Sequence, residues 1–164
     1  MSILQYLGVG QQCGAAAWWG GVTHHWYVQE QDILTTIWRK LLVSACINPT
    51  NALTHGPTNA LVQSPRTAAL VTAMAAEVMH VGVAVGATFE DSPEQWLEAC
   101  RARFVASKFS MLQDVEAGRQ LEAAPLVTSV SDIARELGIP CPRLDTVAAL
   151  IEHYDSNIVA GDAC

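Results

Sequence analysis

From Glu30 to Tyr154 the apolar residues recur at helical spacing, and prolines, glycines and capping residues cut the pattern into segments. Asp32 is placed to cap a first helix over Ile33–Ile47, which Asn48-Pro49 should end, because a residue before proline avoids the α region. Ser64-Pro65 reads as an N-cap with proline at the first helical position, opening a long helix from about Arg66 to Val85. Ser92-Pro93 repeats the device, with Glu94 in the first turn of a helix through about Phe104. Ser110–Leu121 is a further helical segment, in which Ser110 can cap and Gln113 complete a capping box. Ser131–Leu137 stops at Gly138, before the Pro140/Pro142 turn, and a last helix covers about Leu144–Tyr154. The pattern predicts an all-α body. The Arg66–Val85 helix, apolar on nearly every face, is expected to be its most buried element.

Residues 1–28 differ. Residues 3–10 read as a short buried strand running into a glycine turn, and residues 20–28 as a second β-like segment. Trp18, Trp19 and Trp26 fall here, and no charged side chain does, as in part of a sheet whose neighbours are not all present. Gly8, Gly10 and Gly14 form a GxGxxxG run after a strand. No crossover to a second strand with a ribose-reading residue follows, so the βαβ context of a dinucleotide loop fails.

Composition narrows the function classes. The chain has 164 residues, 51% apolar, with nine Lys+Arg against sixteen Asp+Glu and a net charge of −7. One compact domain fits that length, and no basic face is left for a phosphate backbone, so nucleic acid is excluded as a partner. Residues 67–89 are long and apolar enough to cross a bilayer, yet Glu77 and His80 sit near the middle, where a charge is costly. A buried central helix is expected there, with no membrane partner. Cys13, Cys46, Cys100, Cys141 and Cys164 are odd in number and scattered, without a CxxC pair. That suits reduced thiols in a cytoplasmic protein and argues against a zinc site or any other metal.

Two segments carry candidate chemistry. Lys40, one of only two lysines, has Ser44 four residues on and Asn48 eight on, all projecting from roughly one helix face. A lysine, a hydroxyl and an amide in line can bind and protonate an oxygen-rich substrate; the same spacing also suits a solvated lysine and a C-terminal cap. In the second segment Ser110 and Asp114 are i,i+4 neighbours, and Glu122 at its end can face a lysine across a cleft. Such helices also commonly just face water.

Together the segments resemble a known family. Ile37-Trp38-Arg39-Lys40, Ser44 and Asn48-Pro49 through Leu53 resemble the helix that opens the C-terminal domain of ketopantoate reductases (2-dehydropantoate 2-reductases). Ser110 to Asp114, Gly118-Arg119 and Glu122 resemble that family's second signature, and Gly138 to Pro142 with Leu150-Ile151 its closing pattern. The resemblance covers about residues 30–153. It implies a helical domain over residues 30–164, similar to the 6-phosphogluconate dehydrogenase C-terminal domain, with residues 1–28 a β remnant of a Rossmann cofactor domain. It implies NADPH-dependent reduction of ketopantoate to pantoate, on the route to pantothenate and coenzyme A, with NADP as cofactor. The general-acid lysine falls on Lys40, the catalytic-site acids on Asp114 and Glu122, and substrate-binding residues on Asn48 and Ser110.

The chain departs from the family pattern in places. Ser44 replaces a usual asparagine, and Thr58 aligns with another substrate asparagine, which leaves the adjacent Asn59 to serve. Residues 3–10 resemble a late Rossmann strand and turn, with Tyr6-Leu7 in place of the asparagine that approaches the nicotinamide. The implied partner is a small 2-keto acid, with a homodimer as an admissible assembly. The alternative is a non-enzymatic helical module that self-associates through an apolar surface once covered by the Rossmann half.

Overall fold

We obtained a computed structural model of the chain, which describes residues 33–104, 108–121 and 124–161. Among these residues the structure is helical throughout, with no strand. The β-like segments expected in residues 1–28, and the cap expected at Asp32, lie outside the described residues.

The first helix does not stop where the sequence suggests. Helix α1 (Ile33–Leu42) passes through a π-turn (Val43–Ile47) directly into α2 (Asn48–Thr54). Pro49 has no N–H, and in a regular α-helix its ring would collide with the carbonyl four residues back. The chain widens by one residue instead, and the Asn48 N–H donates to Val43 O, five residues back. Pro49 then lies in the first turn of α2, where no donor is needed. Thr50 Oγ1 donates to Cys46 O at 2.7 Å, adding a donor to a carbonyl of the widened turn. A helix that should end at Asn48-Pro49 thus becomes one continuous rod.

Ser44 through Ala52 are all buried, which makes the middle of this rod the most continuously buried stretch described. The long helix α4 (Pro65–Ala84), expected to hold that place, buries one face only. Val71, Met74, Ala75, Val78 and Val81 are inside, whereas Ala69, Ala76, His80 and Val83 are exposed. Its apolar outer face is largely alanine and valine, small residues that cost little in water. Among the described helices it alone is long and apolar enough to cross a bilayer, and half of that stretch is buried against the rest of the fold.

The remaining helices pack around these two. They are α3 (Thr58–Gln63), α5 (Pro93–Arg103), α6 (Ser110–Glu116), α7 (Ala124–Glu136) and α8 (Pro142–Gly161). Helix α5 starts at the expected Ser92 cap, which also forms a capping box: Gln95 N donates to Ser92 Oγ at 3.3 Å, and Ser92 N to Gln95 Oε1 at 2.8 Å. Helix α6 differs from expectation. Phe109 holds the N-cap position, Ser110 is the first helical residue, and Gln113 Nε2 donates to Lys108 O, so no capping box forms. It ends at Glu116, because Ala117-Gly118 turns the chain, with Gly118 at φ +64°. Helix α7 closes at Gly138 as expected, where φ is +69° and Ile139 N reaches back to Ala134 O at 2.8 Å.

Glu77 ties α4 to α8. It is 9% exposed, and its Oε2 accepts from Leu144 N at 2.8 Å. Its Oε1 accepts from Arg143 N at 3.3 Å and Arg143 Nη1 at 3.2 Å. A carboxylate from one helix thereby caps the N-terminus of another, where unpaired N–H groups and the helix dipole both favour negative charge. Glu77→Gln should lower unfolding stability by about 1.5–3 kcal/mol, the range for hydrogen bonds to a charged group. Arg143→Met, which spares the backbone donors, should cost less than about 1 kcal/mol because that guanidinium is mostly exposed. Urea unfolding of the two variants checks the ordering.

Candidate functional site

The rod that Pro49 creates carries the first candidate group. The π-turn between Lys40 and Asn48 shifts their register by one residue relative to a regular α-helix, about 100° around the axis. Lys40 is exposed in the last turn of α1, and none of the ion pairs among the described residues involves it. Ser44 is buried within the π-turn. Asn48 is 6% exposed, and its Oδ1 is buried with no protein partner among the described residues. The line runs from a solvated ammonium to an unpaired buried acceptor.

One turn further on lies a residue that the sequence reading missed. Asn51 is fully buried, its Nδ2 donates to Thr58 Oγ1 at 2.8 Å, and its Oδ1 is a second buried acceptor without a protein partner. Buried polar atoms are nearly always paired, so two orphan oxygens three residues apart on one helix mark a place built to receive donors. The signal was present in sequence as a second asparagine on the Asn48 helix. Its meaning depends on α3, which brings Thr58 against it. Thr58 is fully buried, whereas Asn59 is half-buried and its Oδ1 accepts from the backbone N–H of Ala60 at 2.9 Å.

The second candidate group reaches the rod through α6, which packs against α2. Ser110 is exposed at the start of α6. Asp114, with 15% of its side chain exposed, is paired with Arg119 Nη2 at 2.6 Å, and Arg119 N donates to Asp114 O. Glu122 lies outside the described residues. The helices thus bring together two segments distant in the chain.

The described thiols are free and buried. Burial, with Cys100 and Glu77 nearby, raises the Cys46 thiol well above its ordinary range. Cys100 is pushed up to about 11 by burial, against the pull of Arg103; burial, then Glu77 and Asp145, push Cys141 to about 11. All three stay protonated at neutral pH. Among the described residues no group of three His, Cys, Asp or Glu side chains gathers to hold a metal ion.

Residues 32–155 match the family model described as ketopantoate reductase PanE/ApbA C terminal. The chain belongs to this family. A curated 2-dehydropantoate 2-reductase from Mesorhizobium japonicum is 34% identical over 120 residues, which cover 73% of this chain and 36% of that protein. The crystal structure of 2-dehydropantoate 2-reductase from Geobacter metallireducens GS-15 is similar at 30% identity and TM-score 0.67, over 74% of this chain and 41% of that one. A dimeric ketopantoate reductase from Staphylococcus aureus is similar at 26% identity and TM-score 0.68, over 79% of this chain and 45% of that one. The chain spans little more than a third of the length of the curated relative it matches. The expected all-α domain of the ketopantoate reductase family is therefore the fold observed.

The two orphan asparagines should respond differently to apolar replacement. Asn48→Leu removes an acceptor that no protein donor meets, so stability should stay unchanged or rise by up to about 1 kcal/mol. Asn51→Leu also removes the hydrogen bond to Thr58 and should cost about 1–3 kcal/mol. Thermal and urea unfolding of the pair measure the contrast.

Proposed function

We propose that this chain is the substrate-binding and proton-donating helical domain of an NADPH-dependent 2-dehydropantoate 2-reductase. The observation that carries the reading is the buried Asn48 Oδ1 without a protein partner, on the helix whose sequence marks the family. In this reading Lys40 is the general acid: its ammonium donates a proton to the ketone oxygen as that oxygen takes on negative charge. Asn48 Oδ1, buried and unpaired, accepts from the hydroxyl of the 2-keto acid. Ser44 and Ser110 add hydroxyl contacts, with Asn59 at the edge of the site. Glu122 holds the lysine charged and aimed, while Asp114, paired with Arg119, is the second acid of the site. The setting that goes with this chemistry is cytoplasmic, and a homodimer is compatible with it.

The described residues do not fit the cofactor. A dinucleotide site takes a strand, a glycine-rich turn and a helix N-terminus that cradles the pyrophosphate. The described residues contain no strand, and Gly82 is packed so tightly that an added Cβ would lie 2.9 Å from the Phe89 ring. The Gly8–Gly14 run lies outside the described residues. The reducing half of the reaction belongs to a cofactor-bearing domain, whether in a longer chain or in a partner.

The 164-residue chain alone should bind NADPH weakly, since its net charge of −7 also repels an anionic cofactor. It should be a poor reductase yet bind ketopantoate through Lys40. Titration of NADPH fluorescence, then a turnover assay with ketopantoate, tests this; micromolar cofactor binding with rapid turnover would mean that residues 1–28 form a complete cofactor site. With the cofactor-bearing half supplied, Lys40→Met should lower kcat by about 10²–10⁴-fold.

A further inference from the structure

A cavity of about 290 Å³ opens beside α1, on the side that carries Arg39, Leu42 and Val43, and none of the candidate catalytic or substrate-binding residues lines it. Its outer walls are the 87–92 loop and helix α5. That volume is near the lower end, about 300 Å³, of the range for small-molecule sites. The walls are held in place by bonds of the protein's own. Thr88 N donates to Thr35 Oγ1 at 2.8 Å, pinning the loop to α1. Phe89 packs onto the bare backbone of Gly82. The Ser92–Gln95 capping box sets the start of α5.

The lining has two distinct parts. Leu42, Met79 and Cys100 form a buried apolar floor, flanked by the half-buried rings of Phe89 and Trp96. Around it stand four exposed charges, Arg39 and Arg103 against Glu90 and Asp91. None of the four takes part in an ion pair among the described residues. Arg103 instead lies 5.5 Å from the centre of the Phe104 ring, a cation–π contact that leaves its N–H groups able to donate. A simple anion in this cavity would meet two carboxylates, and a simple cation two guanidinium groups. A small ligand carrying both charges on an apolar body answers every part of the lining.

We propose that this cavity is a second binding site, for a free α-amino acid with an aromatic or branched apolar side chain. The carboxylate engages Arg39 and Arg103, the ammonium engages Glu90 and Asp91, and the side chain enters between Phe89 and Trp96. Val43, the first residue of the π-turn, lines the cavity, so the occupant bears on the same rod that carries Lys40, Ser44 and Asn48. The proposal does not depend on the reductase reading, and its readout is binding alone.

Calorimetric titration of the whole chain with L-phenylalanine and L-leucine tests it, against 3-phenylpropionate, which lacks the ammonium, and phenethylamine, which lacks the carboxylate. L-Phenylalanine should saturate with a submillimolar Kd, and each comparator should bind about tenfold or more weakly. Arg39→Gln and Asp91→Asn should each weaken L-phenylalanine by about tenfold, and Ala99→Trp, which fills the cavity, should abolish binding, with thermal unfolding of each variant confirming the fold. No saturation by either amino acid up to about 10 mM would overturn the proposal. So would 3-phenylpropionate binding as tightly as L-phenylalanine, or Arg39→Gln and Asp91→Asn both leaving the affinity unchanged.

Discussion

Pro49 lacks an amide hydrogen and stands in the middle of the most buried stretch described, and much of the structure answers to that one constraint. In the interior an unmade backbone hydrogen bond has no water to replace it. The chain meets the problem by widening one turn instead of breaking, so α1 and α2 remain a single rod. Val43 lines the cavity beside Arg39, its i,i+4 neighbour, while Ser44 and Asn48 lie in and just after the widened turn. One rod carries both the candidate site and a wall of the second cavity.

Around that rod the helices are held by two kinds of force. Apolar packing of Trp38, Ile47, Met74, Leu112 and Ile151 supplies most of the stabilisation, at about 1.5–3 kcal/mol for each large side chain fully buried. That packing is not directional. Direction comes from polar ties placed at helix ends and turns, where backbone groups would otherwise be left over. Glu77 receives the first amides of α8, Asp155 receives Leu121 N at 2.6 Å, and Arg101 Nε donates to Val62 O at 2.9 Å. Each tie crosses between elements far apart in sequence, and each uses a charged side chain to meet a backbone group. The one cluster that breaks the rule is Asn48 and Asn51, whose buried oxygens meet no protein donor among the described residues.

The candidate site was legible in part. Lys40, Ser44 and Asn48 could be picked out because helical spacing is local and a family signature lies over them. The π-turn between Lys40 and Asn48 was not legible, because spacing alone does not show how a buried helix accommodates Pro49. Asn51 escaped notice because nothing local distinguishes it from any other polar residue near a helix end. The partner that gives it meaning, Thr58, comes from the next helix. Glu77 was recognised as an argument against a membrane span, and its part in capping α8 appeared only when residues 77 and 144 met in space.

By itself the sequence determined the class of the fold, the position of most helix boundaries and the family, since these rest on periodicity, caps and prolines acting within a few residues. It also marked Lys40, Asn48, Ser110 and Asp114 as polar side chains on helices that present them. Tertiary structure alone decided that the rod continues through Pro49, that the deepest burial falls on Ser44 to Ala52, and that α6 lies against α2. It also decided that unpaired charges and aromatic rings from three separate segments surround one cavity. The division has a physical cause. Backbone hydrogen bonding and helical periodicity act over three to five residues and can be read along the chain, whereas burial and long-range polar pairing depend on which distant surfaces meet, a choice made by the whole chain at once.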